Sequence, residues 1–258
     1  MTGPETNLAS DLQVSVVLPC RNEAANILPL IDGIIRSMTP VCPFEIIVVD
    51  DGSDDGMADR LHSALPDHPM LRVLRHDRPA GQSAAIHSGV LAARHDLICT
   101  LDGDGQNPPE ELPALIAPFR QPDAATLGLV AGQRVGRKDT LARRLASRFA
   151  NGLRAWVLQD GTRDTGCGLK CFRRDAFLAL PYFDHMHRYL PALFARDGWR
   201  IALVDVTHRP RGGGRSHYSN LQRGVVGIFD LMGVAWLLRR RKKARATEVP
   251  RPKAEHEE

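Results

Sequence analysis

Apolar positions recur along this chain in short runs separated by polar, glycine-containing turns. Residues 14–18 (VSVVL), 45–49 (EIIVV), 71–74 (LRVL) and 97–101 (LICTL) each read as a strand. The most continuous of them suit a parallel sheet buried on both faces. Between them, the stretch from the 19–23 turn to Met38, a second helical unit ahead of residue 71, and residues 81–94 (GQSAAIHSGVLAAR) read as helices. The last is built of small residues that can pack closely on a sheet. Strand and helix alternating through short turns predict an α/β fold, with a mostly parallel central sheet, doubly wound, and helices on both faces.

Ligands bind such sheets at the carboxyl ends of the strands. Three polar turns fall there: PCRNE at 19–23, DDGSDDG at 50–56 and DGDG at 102–105. They predict one crevice. The DGDG turn closes the strand at 97–101 with two carboxylates, Asp102 and Asp104, followed by Gln106. Acids at i and i+2 just past a strand end can share a hard divalent cation, and Mg²⁺ prefers few carboxylates plus substrate phosphate oxygens. Gly103 is expected to let the backbone approach a ligand. The alternative is that DGDG is ordinary turn chemistry. Asn107-Pro108-Pro109 then opens a helix, with Glu110 and Glu111 in its first turn, where acids complement the dipole.

In the second half, residues 127–133 read as a strand and 141–158 as a basic helix carrying Arg143, Arg144, Arg148 and Arg154. Residues 164–172 (DTGCGLKCF) read as a turn and strand, 174–180 and 187–197 as helices, and 199–206 as a strand. Residues 207–220 (THRPRGGGRSHYSN) have no apolar period; they read as a flexible loop with phosphate-binding chemistry, or else a solvated linker. Residues 224–238 are apolar apart from Asp230, and RRRKKAR follows at 239–245. Fifteen residues of helix reach about 22 Å, short of the roughly 30 Å hydrocarbon core. An amphipathic interfacial helix over 221–245, its basic end meeting anionic head groups, is therefore expected in place of a spanning one. The alternative is a helix docked on the core with a solvated basic tail. Residues 1–11 and 246–258 are expected to be disordered tails around a domain at 12–220.

Composition narrows the class. The chain has 258 residues, 43% of them hydrophobic and 25% charged, with a net charge of +4, as suits a soluble α/β domain. The five cysteines (Cys20, Cys42, Cys99, Cys167, Cys171) show no zinc-like pairing, and Cys99 reads as a buried thiol. The spacing of Cys167 and Cys171, without a second pair, argues against a redox or metal role. No secretory leader pattern is seen, and the expected location is cytoplasmic. Neither G-x-G-x-x-G nor G-x-x-x-x-G-K-[ST] occurs, so dinucleotide and P-loop readings lose support. The run RRRKKAR has few interleaved aromatics and the rest is near charge balance, which argues against nucleic acid.

Four motifs in order, VVLPCRNE at 16–23, VVDDGSDD at 48–55, DGDGQNPPEE at 102–111 and DTGCGLKCF at 164–172, resemble family 2 glycosyltransferases. The later motifs, with RGGGRSHY at 211–218, resemble the polyprenyl-phosphate branch of the dolichol-phosphate mannose synthase type. The resemblance covers residues 12–220 and implies the GT-A fold. It implies an inverting, metal-dependent transfer from a nucleotide diphosphate sugar (GDP-mannose or a UDP-sugar) to dolichyl or undecaprenyl phosphate, at the cytoplasmic membrane face. By the same resemblance, Pro19, Asn22, Glu23 and Asp51 line the nucleoside pocket. Asp102 and Asp104, helped by Gln106, hold Mg²⁺ or Mn²⁺, and Arg134 lies near the phosphates. Arg143 and Ser147 meet the acceptor phosphate, and Arg211 and Ser216 belong to a loop closing on the donor. Two positions depart from the family: DGDGQ where DADLQ is commoner, and His217 where lysine is frequent.

A phosphate monoester with a second pKa of about 6 is largely ionised at neutral pH, so such an acceptor needs no strong general base. Arg143 and Arg211 would orient an already charged nucleophile. No catalytic histidine is then expected, and His185 and His187 read as surface or capping residues. Relatives with C-terminal membrane helices suggest a membrane-protein partner or purely peripheral binding here. Two alternatives keep the pocket: transfer to a hydroxyl of a glycan or lipopolysaccharide, and a non-catalytic nucleotide-sugar-binding protein.

Overall fold

The structure is a computed structural model that describes residues 12–135, 158, 161–209 and 220–240, with the single positions 244, 247 and 249. Seven strands form one sheet: β1 (Val14–Cys20), β2 (Phe44–Asp50), β3 (Leu71–Arg75), β4 (Leu97–Thr100), β5 (Leu127–Arg134), β6 (Lys170–Arg173) and β7 (Arg200–Val206), in the order β3-β2-β1-β4-β6-β5-β7. β1, β2, β3 and β4 pair in parallel, as do β5 and β7. β6 runs against both its neighbours, β4 and β5. This reversal inside an otherwise parallel sheet brings the beginning of β6 to the carboxyl ends of β4 and β5.

Alternate residues of the strands feed two cores, as a sheet covered on both faces requires. Val14, Val16, Leu18, Ile46, Val48 and Cys99 face one; Val17, Ile47, Val49, Ile98 and Leu129 face the other. On the first side lie α1 (Ile27–Met38), α2 (Met57–Ala64) and α4 (Leu112–Ile116). In α1 the buried residues Ile27, Leu30, Ile31, Ile34 and Met38 recur at the helical period, which is why this segment folds as an amphipathic helix. The second side is covered by α3 (Gln82–Ala92), α5 (Arg174–Leu178), α6 (Leu190–Arg196) and α7 (Asn220–Arg239). As its small residues predict, α3 buries Ala85, Gly89 and Val90 against β1 and β2. Phe172 of β6 and Phe177 of α5 stack with centroids 4.9 Å apart in the centre of this core.

The helix expected after Asn107 is broken into pieces. A 3₁₀ turn at Pro109–Glu111 leads into α4, and a further 3₁₀ turn covers Ala117–Arg120. Each piece has a proline in its first positions, where a missing N–H is tolerated; in the interior of one long helix the same prolines would remove ladder bonds.

The C-terminal helix α7 docks on the core by one face and leaves apolar residues exposed on another. Leu231, Val234 and Leu238 pack on the second core, and Asp230 Oδ2 meets His185 Nδ1 at 3.0 Å. Ile228, Phe229, Met232 and Trp236 point outward, 60%, 70%, 64% and 58% exposed. No helix among the described residues is long and apolar enough to cross a membrane. The expected basic helix with Arg143 and Ser147, and the loop with Arg211, Ser216 and His217, lie outside the described residues, Leu158 excepted.

Candidate active site

Hydrogen bonds stitch the first two turns together. Asn22 adopts a left-handed backbone (φ 57°), a conformation asparagine tolerates better than most residues. Its amide donates to Ser53 Oγ at 3.0 Å, and its Oδ1 accepts from the Asp54 amide at 3.0 Å. The Ala24 amide donates to Asp55 Oδ2 at 2.8 Å. Glu23 caps the approach to α1: its carbonyl accepts from the Asn26 and Ile27 amides, and its Oε2 from Asn26 Nδ2 at 2.7 Å. Pro19 lies within β1, opposite Val49.

Asp51 braces the turn after β3. Its Oδ1 meets His76 Nδ1 at 2.7 Å and the Ala80 amide at 2.8 Å, and its Oδ2 accepts from the Gly81 amide at 2.8 Å. Burial alone would raise its pKa, but these partners together hold the carboxyl below its ordinary value. The residues expected to line a nucleoside pocket thus sit together at the carboxyl ends of β1 and β2, with Asn22 and Asp51 hydrogen-bonded to neighbouring turns.

The carboxylate pair lies next to them. Cys20, buried at the end of β1, has its thiol pKa pushed well up, first by burial and then by the fields of Glu23, Asp102, Asp50 and Asp104. Those fields show the acidic turns converging. Packing against this thiol by itself calls for the glycine at 103: a Cβ there would stand 2.5 Å from Cys20 Sγ. Asp102 is gripped by two neutral amides, Gln82 Nε2 to Oδ1 at 2.7 Å and Asn107 Nδ2 to Oδ2 at 3.1 Å. The Gln106 amide donates to Asp104 Oδ1 at 3.1 Å.

Residues from β5, β6 and β7 complete the crevice. Arg134 forms a two-bonded pair with Asp164, Nε to Oδ2 at 2.5 Å and Nη2 to Oδ1 at 2.9 Å. β6 starts opposite β4 with Lys170 paired to Thr100. The residue two before it, Gly168, passes so close to Asp102 that a Cβ would lie 2.3 Å from the carboxylate carbon. At the exit of β7 the Thr207 amide and hydroxyl donate to Glu111 Oε1 at 2.9 and 2.6 Å. Arg209 donates from its amide to the Gln106 carbonyl at 2.9 Å and from Nη2 to Glu110 Oε2 at 3.1 Å. Glu110 and Glu111, expected to serve a helix dipole, therefore anchor the strand exit two residues before Arg211.

With this arrangement in view, comparison with known proteins is decisive. The family described as Glycosyl transferase family 2 matches residues 15–180. The chain belongs to this family. A dodecaprenyl-phosphate galacturonate synthase from Rhizobium johnstonii is 33% identical over 88% of this chain and 68% of its own length. An undecaprenyl-phosphate 4-deoxy-4-formamido-L-arabinose transferase from Pectobacterium carotovorum is 35% identical over 85% of this chain and 66% of its own. The chain thus spans about two thirds of the length of these relatives. Glucosyl-3-phosphoglycerate synthase from Mycobacterium tuberculosis, solved with Mn²⁺, UDP and glucosyl-3-phosphoglycerate, superposes with a TM-score of 0.65 at 20% identity, over 91% of this chain and 82% of that one. Mannosyl-3-phosphoglycerate synthase from Rubrobacter xylanophilus superposes equally, at 0.65 and 20% over 93% and 79%. The fold is GT-A.

In this family 2 glycosyltransferase the carboxylate pair fits a divalent cation. The pKa of Asp102 is raised, first by burial and then by the charge of Asp104, a repulsion that a shared cation relieves. Its hydrogen-bond donors are uncharged amides, which fix the carboxylate without neutralising it. No group of three or more His, Cys, Asp or Glu side chains suited to a metal occurs among the described residues, so substrate oxygens would have to complete the shell. Gln106 approaches the pair through its backbone amide.

Two residues beside Asp102 escaped the sequence reading. Lys170 is 4% exposed and hydrogen-bonds the Cys167 carbonyl. Its one sequence signal was a lysine set between apolar neighbours in DTGCGLKCF. His187, read as a surface or capping residue, lines a cavity of about 310 Å³ together with Asp102 and Lys170. His185 does occupy the capping position of the Met186–Arg188 turn, and its ring pairs with Asp230. All five cysteines are free thiols; Cys99 and Cys171 face each other across β4 and β6.

Proposed function

We propose that this chain transfers a sugar, with inversion, from a nucleotide diphosphate sugar to the phosphate of a polyprenyl phosphate, using Mg²⁺ or Mn²⁺ at Asp102 and Asp104. The observation that carries the reading is the carboxylate pair at the end of β4, set in neutral amides and adjoining a cavity with a basic wall. The lipid acceptor is supported by the names of the two relatives, both polyprenyl-phosphate sugar enzymes, and the metal by the Mn²⁺ and UDP in the M. tuberculosis neighbour.

The cation, when bound, stabilises the charge that builds on the departing diphosphate. The chain's own contribution is positional. Gln82 and Asn107 fix Asp102, Gly168 leaves it room, and Asp51 with Asn22 shapes the nucleoside side of the crevice. Arg143 and Ser147 are assigned to the acceptor phosphate, and Arg211 and Ser216 to closure over the donor. An ionised phosphate acceptor needs orientation and charge screening more than deprotonation.

The acceptor places the enzyme at a membrane surface, and α7 supplies a means of reaching it. Ile228, Phe229, Met232 and Trp236 fall within an arc of about 100° on the side opposite the docked face. The Arg240 guanidinium lies 5.7 Å from the Trp236 ring centroid, at the start of the basic run. An apolar strip ending in cations suits an anionic lipid interface, so peripheral attachment to the inner face of the cytoplasmic membrane is the location we assign.

The test is transfer of radiolabel from a panel of nucleotide sugars into undecaprenyl or dolichyl phosphate, with metal-free and Asp104→Asn controls. Metal-dependent transfer from one donor, lost in D104N by about 10²-fold or more, is the expected result. Donor binding or slow hydrolysis without labelled lipid would move the acceptor to a glycan hydroxyl. Absence of any nucleotide-sugar binding would overturn the enzyme reading.

A further inference from the structure

The cavity beside Asp102 is richer in hydrogen-bond donors than a neutral sugar requires. Lys170 is buried, and among the described residues its ammonium spends one of three N–H groups, on the Cys167 carbonyl. Asp102, the carboxylate nearest in charge, takes its hydrogen bonds from Gln82 and Asn107. His187 adds a further donor. Ser83 Oγ accepts the His187 backbone N–H at 3.3 Å and stands 2.8 Å from its Nδ1. In the tautomer in which the Ser83 hydroxyl donates to Nδ1, the ring proton sits on Nε2 and is a further donor. Arg188 lines the same cavity.

A buried ammonium needs a counter-charge. Asp102 supplies one only until a divalent cation claims it, and Asp164, the other carboxylate acting on Lys170, is held by Arg134; thereafter Lys170 is a desolvated positive charge in a wall it shares with His187 and Arg188. We infer that the cavity bounded by Lys170, His187 and Arg188 is the subsite of a carboxylate on the donor sugar, which makes a nucleotide-linked hexuronate the preferred donor. This rests on the reading that the crevice holds a nucleotide-sugar donor. A carboxylate offers two acceptor oxygens and one negative charge, which match the unspent Lys170 N–H groups and the His187 Nε2–H and restore neutrality. A hydroxymethyl group at the same carbon of a neutral hexose supplies no charge.

The experiment measures equilibrium binding to the full chain with Mn²⁺, by calorimetry. UDP-glucose is compared with UDP-glucuronate, GDP-mannose with GDP-mannuronate, and each with its nucleotide diphosphate alone. In one pair the uronate should bind at least tenfold tighter than the neutral sugar. Lys170→Met, similar in length and free of the buried charge, should bring the two within twofold of each other, each referred to the variant's own affinity for the nucleotide diphosphate alone. His187→Ala, which leaves Lys170 in place, should lose part of the preference. Equal binding of uronate and neutral sugar by the unaltered chain overturns the inference and leaves the donor site standing. So does a uronate preference that survives K170M. A phosphate anion could use the same donors, so farnesyl phosphate is titrated in parallel. If K170M abolishes farnesyl phosphate binding and spares the sugar preference, the subsite belongs to the acceptor and the inference fails. If neither UDP nor GDP binds, the donor site itself falls, and the inference with it.

Discussion

Arg134, at the end of β5, is held by both oxygens of Asp164, a residue thirty positions on that enters the crevice just ahead of β6. The pair fastens the DTGCG turn to the rim of the sheet. It also raises the pKa of Arg134 further, chiefly through that hydrogen bond, so the guanidinium stays charged beside Asp102. An arginine expected to face phosphates thus has Nε and Nη2 committed within the protein.

Breaking this pair from either side should cost stability. Arg134→Met and Asp164→Asn should each destabilise by about 1–3 kcal/mol, a fall in Tm of roughly 2–4 °C per kcal/mol. The double variant should lose less than the sum, because the second change removes a partner already orphaned. Urea denaturation of the four proteins measures the coupling.

Gly168→Ala should damage the carboxylate pair without unfolding the chain. The added Cβ would lie 2.3 Å from atoms of the Asp102 carboxylate, which Gln82 and Asn107 hold in place. The side chain must swing away, and Mn²⁺-supported binding of nucleotide diphosphate should fall by about tenfold or more, one lost ionic contact. Circular dichroism should be unchanged.

Stability should have an acid limb traceable to Glu45. Burial raises its pKa, but the Ser15 hydroxyl, the Arg94 amide and Arg72, each 2.7 Å away, outweigh burial and lower it below the usual value. A carboxyl depressed in the folded state stabilises above the unfolded value of about 4.3, and that contribution is lost as pH falls through the folded value. Glu45→Gln should therefore be less stable than the parent at pH 7, with the gap closing below about pH 4. Denaturation at pH 7, 5 and 3.5 reads it directly.

The outward face of α7 should govern lipid binding. Phe229→Ser with Trp236→Ser removes two side chains worth about 1.5–3 kcal/mol each when fully buried, so partitioning onto phosphatidylglycerol vesicles should drop at least tenfold. Nucleotide binding should not change, since neither residue lines the crevice. A Trp236 fluorescence maximum unmoved by vesicles would argue against the interfacial role.

Much of this protein is determined locally and was legible in the sequence. The strands are short apolar runs, α1 has an unbroken helical period, and the acidic turns follow strand ends directly, so each could be recognised from neighbours a few residues apart. Tertiary structure decided what depends on distant partners. The reversal of β6 is invisible in its four residues, because direction is set by where the chain re-enters the sheet. Glycines 103 and 168 are explained by a thiol and a carboxylate from other strands. Lys170 and His187 reach the cavity only because β6 and the turn before α6 converge on Asp102. Periodicity reports burial along a segment; it carries no record of which remote side chain waits on the other side.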